Sequence, residues 1–319
     1  MTKYIGQRLV QALLTLILIT LIVFFMMRLL PGDPLLIYLG QRAELHDMTD
    51  EALEELRKEF GLDKPIMVQY VNWVAGALRL DLGTSIFYRE DVGTLMKERF
   101  PITLYLGCIA MAVSTTAGIL IGLLAAVRRG AWPDKIISPL TYIGVTIPAF
   151  WLGIILIYVF AQKLGWLPVS GFTSPFKDFV QSTRQIILPV ICLSAFGVAS
   201  TARQMRSSML EVLPQDYIRT AWAKGLSERV IIIKHALKNS LIPVITLIGV
   251  GFRVMIGGSV LVETVFAIPG VGRLMVSSIF SQDYVVVQAL TLVIAVLVLL
   301  INLVIDLFYG WLDPRIRYN

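Results

Sequence analysis

The sequence predicts an all-α integral membrane protein with six transmembrane helices. Three observations carry that prediction. Of 319 residues, 56% are hydrophobic and only 16% charged, against about 25% charged in an average soluble domain; the mean hydropathy is +0.75. Six apolar runs, 9–27, 101–127, 136–162, 186–202, 241–262 and 285–305, have lengths suited to crossing a bilayer. Lys and Arg gather in alternate connecting segments, as expected when one side of the membrane retains positive charge. This composition excludes a disordered chain and argues against a soluble enzyme. The net charge of +6 belongs to that membrane pattern and gives no reason to expect nucleic acid.

Three regions follow in order. Residues 1–33 form the first transmembrane helix. Its run of nineteen uncharged residues, after Lys3 and Arg8, is too long for an ordinary signal h-region, and no small-residue cleavage site follows. Pro31 and Pro34 end it. Residues 34–99 are a polar stretch expected to form a helical subdomain resting on the outer surface. There Ala52, Leu53, Leu56 and Phe60 share a helix face that Gly61 stops, and Tyr70 and Trp73 suit a membrane interface.

Residues 100–319 hold the other five spans. Gly118 and Gly122 in the second permit close helix contact. Pro139 and Pro148 are expected to bend the third. The loop 163–185, with Trp166, Pro168, Gly171 and Pro175, should be irregular. The fourth span, 186–202, is the shortest. Arg253 interrupts the fifth, whose Gly249, Gly251, Gly257 and Gly258 thin its surface. Cys108 and Cys192 fall in apolar runs and read as two buried thiols.

The segment 203–240 is the most basic short stretch, with seven Lys and Arg against three acids. Asp216 is placed to cap a helix over 217–224, Gly225 to supply the C′ position, and Ser227 to cap a second helix. Two short helices between spans, on the basic side, read as a docking element. With the N-terminus inside, the inner segments hold 14 basic against 6 acidic residues. Both termini and the docking loop are therefore expected to be cytoplasmic.

Several stretches carry a family resemblance: PGDP at 31–34, GLDKPIMVQYVNWVAGALRLDLGTSI at 61–86, YIRTAWAKG and KHALKN within 217–239, ETVFAIPGVGRL at 263–274, and DPRIRY at 313–318. Together they resemble the B-type permeases of the peptide, nickel and glutathione branch of the ABC importers. The family's Glu-Ala-Ala loop start and its Ile-x-Leu-Pro are replaced here by Arg219, Thr220, Ala221 and by His235, Leu237, Lys238. The resemblance implies a cytoplasmic coupling-helix loop that docks on an ATPase through Tyr217, Arg219, Thr220, Ala221, Lys224 and Gly225. It implies a heterodimer with a second homologous permease, two ATP-binding subunits carrying ATP and Mg, and an extracytoplasmic solute-binding protein. It also implies a bacterial or archaeal plasma membrane. The implied substrate is a dipeptide or short oligopeptide, with glutathione or a nickel chelate as the alternative.

The residues themselves narrow the function. An arginine in mid-span is costly unless it is paired or faces water, so Arg253 is a candidate for the translocation path or a subunit contact, with Gly257, Gly258 and Glu263. Glu263 is expected to fix the turn that starts the outer loop. No GxxxxGK[ST] motif occurs, so ATP hydrolysis must come from separate subunits. His46 and His235, the only histidines, fall on opposite sides, which leaves no metal site. A secondary transporter would need buried acids or broken half-helices, and a non-transporting scaffold would need neither Arg253 nor the thin fifth helix.

Overall fold

The structure is a computed structural model that describes the backbone of residues 2–29, 35–36 and 50–312, and the side chains of 6–29, 35–36, 51–249, 251 and 259–305. The PGDP turn, His46, the 313–318 tail, the Arg253 side chain and the surroundings of Gly257 and Gly258 lie outside the described residues.

The fold is all-α and multi-pass. Among the described residues, five helices are long and apolar enough to cross a membrane, or six if one sharply bent pair counts as a span. The long helices are α1 (Thr2–Leu29), α4 (Val92–Val127), α7 (Phe179–Val212), α10 (Leu237–Val265) and α12 (Tyr284–Leu312). The bent pair is α5 (Trp132–Thr146) and α6 (Ala149–Leu156), the second continued by a π-helical turn, Ile157–Lys163. Shorter helices are α2 (Asp50–Glu59), α3 (Ile66–Leu78), α8 (Asp216–Ala223), α9 (Glu228–Val230) and α11 (Val271–Phe280). The described residues group into two compact units, one drawn from 1–102 and 273–319, the other Thr103–Gly272.

In the first unit α1 packs along α12, with Val23 and Met27 against Tyr284, Val287 and Met275. The face of α2 foreseen from its spacing is half-buried: Leu53, Leu56 and Phe60, with Phe87 and Val285, pack against the buried Leu35 and Ile86. Gly61 ends that helix at φ +63. The loop after α3 is tied down by one buried carboxylate. Asp283 accepts from the Ser85 hydroxyl, and from the amides of Phe87 at 3.1 Å and Val286 at 3.3 Å. Carboxyl oxygens removed from water need such donors in its place.

In the second unit α7 is the hub, packed against α5, α6 and α10. Gly118 and Gly122 let α4 approach it: a Cβ at Gly118 would lie 2.6 Å from Thr201 Cβ, and one at Gly122 would strike the Ala202 carbonyl. Asp178 caps α7, accepting from the Gln181 amide at 2.9 Å. The helix then runs ten residues past the apolar stretch ending at Ala202, so the basic docking segment begins as a direct continuation of a span.

One expectation is met at one of its two prolines, and two need correction. The third run is bent by 107°, at Ile147–Pro148. Pro148 cannot donate and holds the residue before it extended, whereas Pro139 sits inside α5. Cys108 is exposed on α4 and only Cys192 is buried; both are free thiols. An apolar face turned outward in a bilayer needs no burial inside the protein, so an apolar run does not distinguish the two. The second docking helix is not separate: α9, a π-helical turn at Ile231–Ala236 and α10 form one continuous helical run.

Candidate functional site

Two ends of that run hold the candidate residues. At the basic end, α8 is pinned from one side. Ile218 and Ala221 are buried with Met205, Met209 and Val212 of α7 and with Ile231, Ala236 and Val244. The opposite side is open. Tyr217, Trp222, Leu226, Val230 and Ile233 are exposed apolar side chains among Arg219, Lys224, Arg229 and Lys234.

Local chemistry shapes this end. The Gln215 carbonyl accepts from the amides of Ile218 and Arg219, at 3.0 and 3.1 Å. Gln215 is therefore the cap and Asp216 the first helical residue, with its charge near the helix's positive end. Ser227 occupies the N-cap position of α9 but makes no side-chain capping bond. Gly225 has φ +75 and follows the C-cap Lys224; its amide donates to the Trp222 carbonyl at 2.9 Å. Left-handed backbone there favours glycine. The Tyr217 hydroxyl accepts from Asn239 Nδ2 at 2.7 Å, fixing the open face of α8 to the start of α10. The Arg219–Asp216 pair at 3.6 Å is exposed and contributes little. Of the six docking candidates, Ala221 is the one already covered by its own chain.

The other end closes on a buried carboxylate. Glu263 is fully buried; its Oε1 accepts from the Thr103 hydroxyl at 2.7 Å. Thr103 Oγ1 in turn accepts from the Val271 amide at 2.9 Å. The Glu263 carbonyl accepts from the Ile268 amide at 2.8 Å, closing the turn. A Cβ on Gly270 would strike the Glu263 carboxylate, and one on Gly272 would lie 2.9 Å from it.

Two features here escaped the sequence reading. Asp134, at the start of α5, accepts from Arg206 Nε at 2.7 Å and Nη2 at 3.0 Å, from the Gly130 amide at 3.0 Å and from the Ser138 hydroxyl at 2.9 Å. Its side chain is 8% exposed. This bidentate pair joins α5 to α7 at the start of the basic segment 203–240; its only sequence signal was an acid in the first turn of a helix. The second is a cavity of about 300 Å³ among α4, α6, α7 and α10, lined by Ser114, Thr115, Ala149, Cys192, Phe196 and Ser200 with other uncharged residues. Among the described residues no cluster of His, Cys, Asp or Glu could hold a metal ion.

The chain is all-α and multi-pass, with a face of mixed basic and apolar side chains exposed on α8 and α9. The comparisons name the family. The profile described as "Binding-protein-dependent transport system inner membrane component" matches residues 118–318, and its N-terminal companion matches 1–107. The chain is 42% identical over 318 residues to a probable peptide ABC transporter permease of Sinorhizobium fredii. It is 40% identical over 320 residues to a putative peptide transport system permease of Brucella abortus. It is 39% identical over 319 residues to the glutathione transport system permease of Escherichia coli O6:H1. Each match covers 100% of both chains. In fold the chain is similar to the methionine ABC transporter MetNI, solved in inward-facing conformations, with TM-score 0.53 and 19% identity over 69% of this chain and 96% of that one. This chain belongs to the family of binding-protein-dependent transport system inner membrane components. It is a permease subunit, not an enzyme.

Proposed function

We propose that this chain is one permease of an ATP-driven importer of dipeptides or short oligopeptides in a bacterial inner membrane. The observation that carries the reading is full-length similarity, at about 40% identity, to permeases named for peptides, di/tripeptides and glutathione. Its partners are a second homologous permease, two ATPases that bind ATP and Mg, and an extracytoplasmic binding protein that delivers the solute. The open face of α8 is the ATPase dock, through Tyr217, Arg219, Thr220, Lys224 and Gly225, while Ala221 supports it from beneath. ATPase closure pushes α8. The push passes into α7 and α10 through the apolar contacts of Ile218 and Ala221. Arg253, Gly257, Gly258 and Glu263, on or at the end of α10, belong to the path or to the contact between permeases. Both termini are cytoplasmic, in keeping with the charge bias of the sequence.

The test is reconstitution of the four membrane-bound subunits with their binding protein in vesicles. Dipeptides should stimulate ATP hydrolysis and enter the lumen. Glutathione as the sole effective solute would move the assignment to the glutathione reading, which the Escherichia coli relative favours. No ATP-dependent uptake of any peptide would defeat both. In intact cells, cysteines replacing Glu54 or Lys58 should react with a membrane-impermeant thiol reagent. Reaction only after permeabilisation would reverse the topology.

A further inference from the structure

Helix α3 is not built like a helix lying on a water-washed surface. Its sequence, IMVQYVNWVAGAL, holds no charge, and none of its residues is buried. Charges begin only beyond it, at Lys64 and Arg79. Met67 is 65% exposed, Val71 61% and Leu78 82%. A helix apolar on nearly every face, with most of its aliphatic side chains uncovered, has its free energy raised by water and lowered by hydrocarbon. At 13 residues it is about 20 Å long, too short to cross a core about 30 Å thick.

Its contacts with α1 give its depth. Arg28 ends the apolar stretch of α1, and a long cation there reaches for the polar boundary. The Arg28 guanidinium donates to Gln69 Oε1, at 2.6 Å from Nη2 and 3.2 Å from Nε. The first turns of α3 therefore lie at that boundary. The next residues go deeper. The rings of Tyr70 and Trp73 sit 5.2 and 6.2 Å from the ring of Phe24. The Tyr70 hydroxyl lies 3.1 Å from the Thr20 hydroxyl. Phe24 and Thr20 precede Arg28 by four and eight residues, which is about 6 and 12 Å along the helix. Tyr and Trp with a polar tip and an apolar body are suited to this zone. At the same level α1 leaves Ile22, Phe25 and Met26 exposed, and a spanning helix is surrounded there by lipid.

We propose that α3 is an in-plane membrane helix. It is sunk into the leaflet at the level of Phe24, and Met67, Val71 and Leu78 pack against phospholipid acyl chains. The α2–α3 subdomain is then anchored in the bilayer instead of resting on it. Gln69 accepts from Arg28 on α1 and donates to the Leu62 and Lys64 carbonyls, and the Tyr70 hydroxyl pairs with Thr20, so these polar groups do not hold the helix in water. The proposal does not depend on which solute is transported.

Nitroxide labels read the depth directly. In a Cys108→Ser, Cys192→Ala background, Met67→Cys, Val71→Cys and, as a control on α2, Glu54→Cys would be labelled in the assembled complex. The complex would be reconstituted in phosphatidylcholine vesicles. Power saturation with oxygen and with a water-soluble nickel chelate is expected to find positions 67 and 71 open to oxygen. Their collision rate with the chelate is expected to be about tenfold lower than at 54, as for a face sunk into the acyl boundary. Equal chelate access at all three positions would overturn the proposal by placing α3 in water. Closure of 67 and 71 to both reagents would also overturn it, by showing that a protein surface covers the helix.

Discussion

The two ends of the α9–α10 run make opposite use of charge. At the Glu263 end a single carboxylate is fully buried, and the surrounding chain is shaped to it. Thr103 donates from α4, and two glycines stand where a side chain would collide. At the α8 end seven cations spread over 203–238, the described ones on α8 and α9 are exposed, and apolar side chains stand uncovered between them. The first arrangement is complete within one chain. The second leaves apolar area in water that another surface would cover with gain. The difference teaches where to look for partners: a site satisfied by its own residues reports on stability, and an unsatisfied one reports on assembly.

Substitutions can break or sharpen that contrast. The largest effect is expected at Gly225. Its φ of +75 is unsuited to a β-branched side chain, although nothing lies within 4 Å of a built Cβ. Gly225→Val should introduce strain of about 1–3 kcal/mol in the turn, displace the α8 face, and abolish solute-stimulated ATP hydrolysis while membrane insertion remains normal. Gly225→Asn, which tolerates left-handed backbone, should retain most of the stimulation. Full stimulation in the valine variant would remove the docking role.

Next is Arg253, on α10 between the two ends. Arg253→Leu is expected to leave the complex assembled and to lose transport. Arg253→Lys should rescue poorly, because lysine lacks the planar fork of donors. Dissociation of the leucine variant in mild detergent would assign the residue to a subunit contact. Unchanged assembly and transport would defeat both roles.

A smaller effect, on stability, is expected at the satisfied end. Gly270→Ala forces a methyl into the Glu263 carboxylate, and overpacking of this kind costs about 1–3 kcal/mol. The melting temperature of the purified protein should fall by several degrees. Trp222→Ala, on the open face, should leave it unchanged. If both variants melt alike, the two ends do not differ as described. The smallest expected effect is at Asp134–Arg206. Asp134→Asn removes a charge-assisted pair worth about 1.5–3 kcal/mol in a buried setting, less here because Arg206 is 31% exposed. The exchanged double variant Asp134→Arg, Arg206→Asp should recover part of the lost thermal stability if the pair is the cause.

The long apolar helices were legible in the sequence because hydropathy over about twenty residues is a strong local signal, although the third run proved to be a sharply bent pair. Gly118 and Gly122 were legible for a similar reason, since their spacing puts both on one helix face. Long-range partners were not. Thr103 meets Glu263 across 160 positions and Ser85 meets Asp283 across 198, and no local pattern announces either. Helix ends were read with partial success. Gly225 was placed correctly from its freedom at positive φ, but Asp216 was taken for a cap because its side chain suits one, and the backbone starts the helix at it instead. Ala221 was counted with the docking surface because motif position does not reveal which face of α8 turns inward.

The π-helical turn at Ile231–Ala236 bears on how such chains can vary in length. A single wide turn holds one residue more than the α-helix it interrupts, and the phase of the helix on either side is kept. Deleting one residue within 231–236 would convert the turn to ordinary α-helix and leave Glu228–Val230 and Leu237–Val265 presenting their present faces. The same deletion a few residues later, inside α10, would swing every following side chain by about 100°. Relatives that differ by one residue here are therefore best aligned with the gap inside this turn.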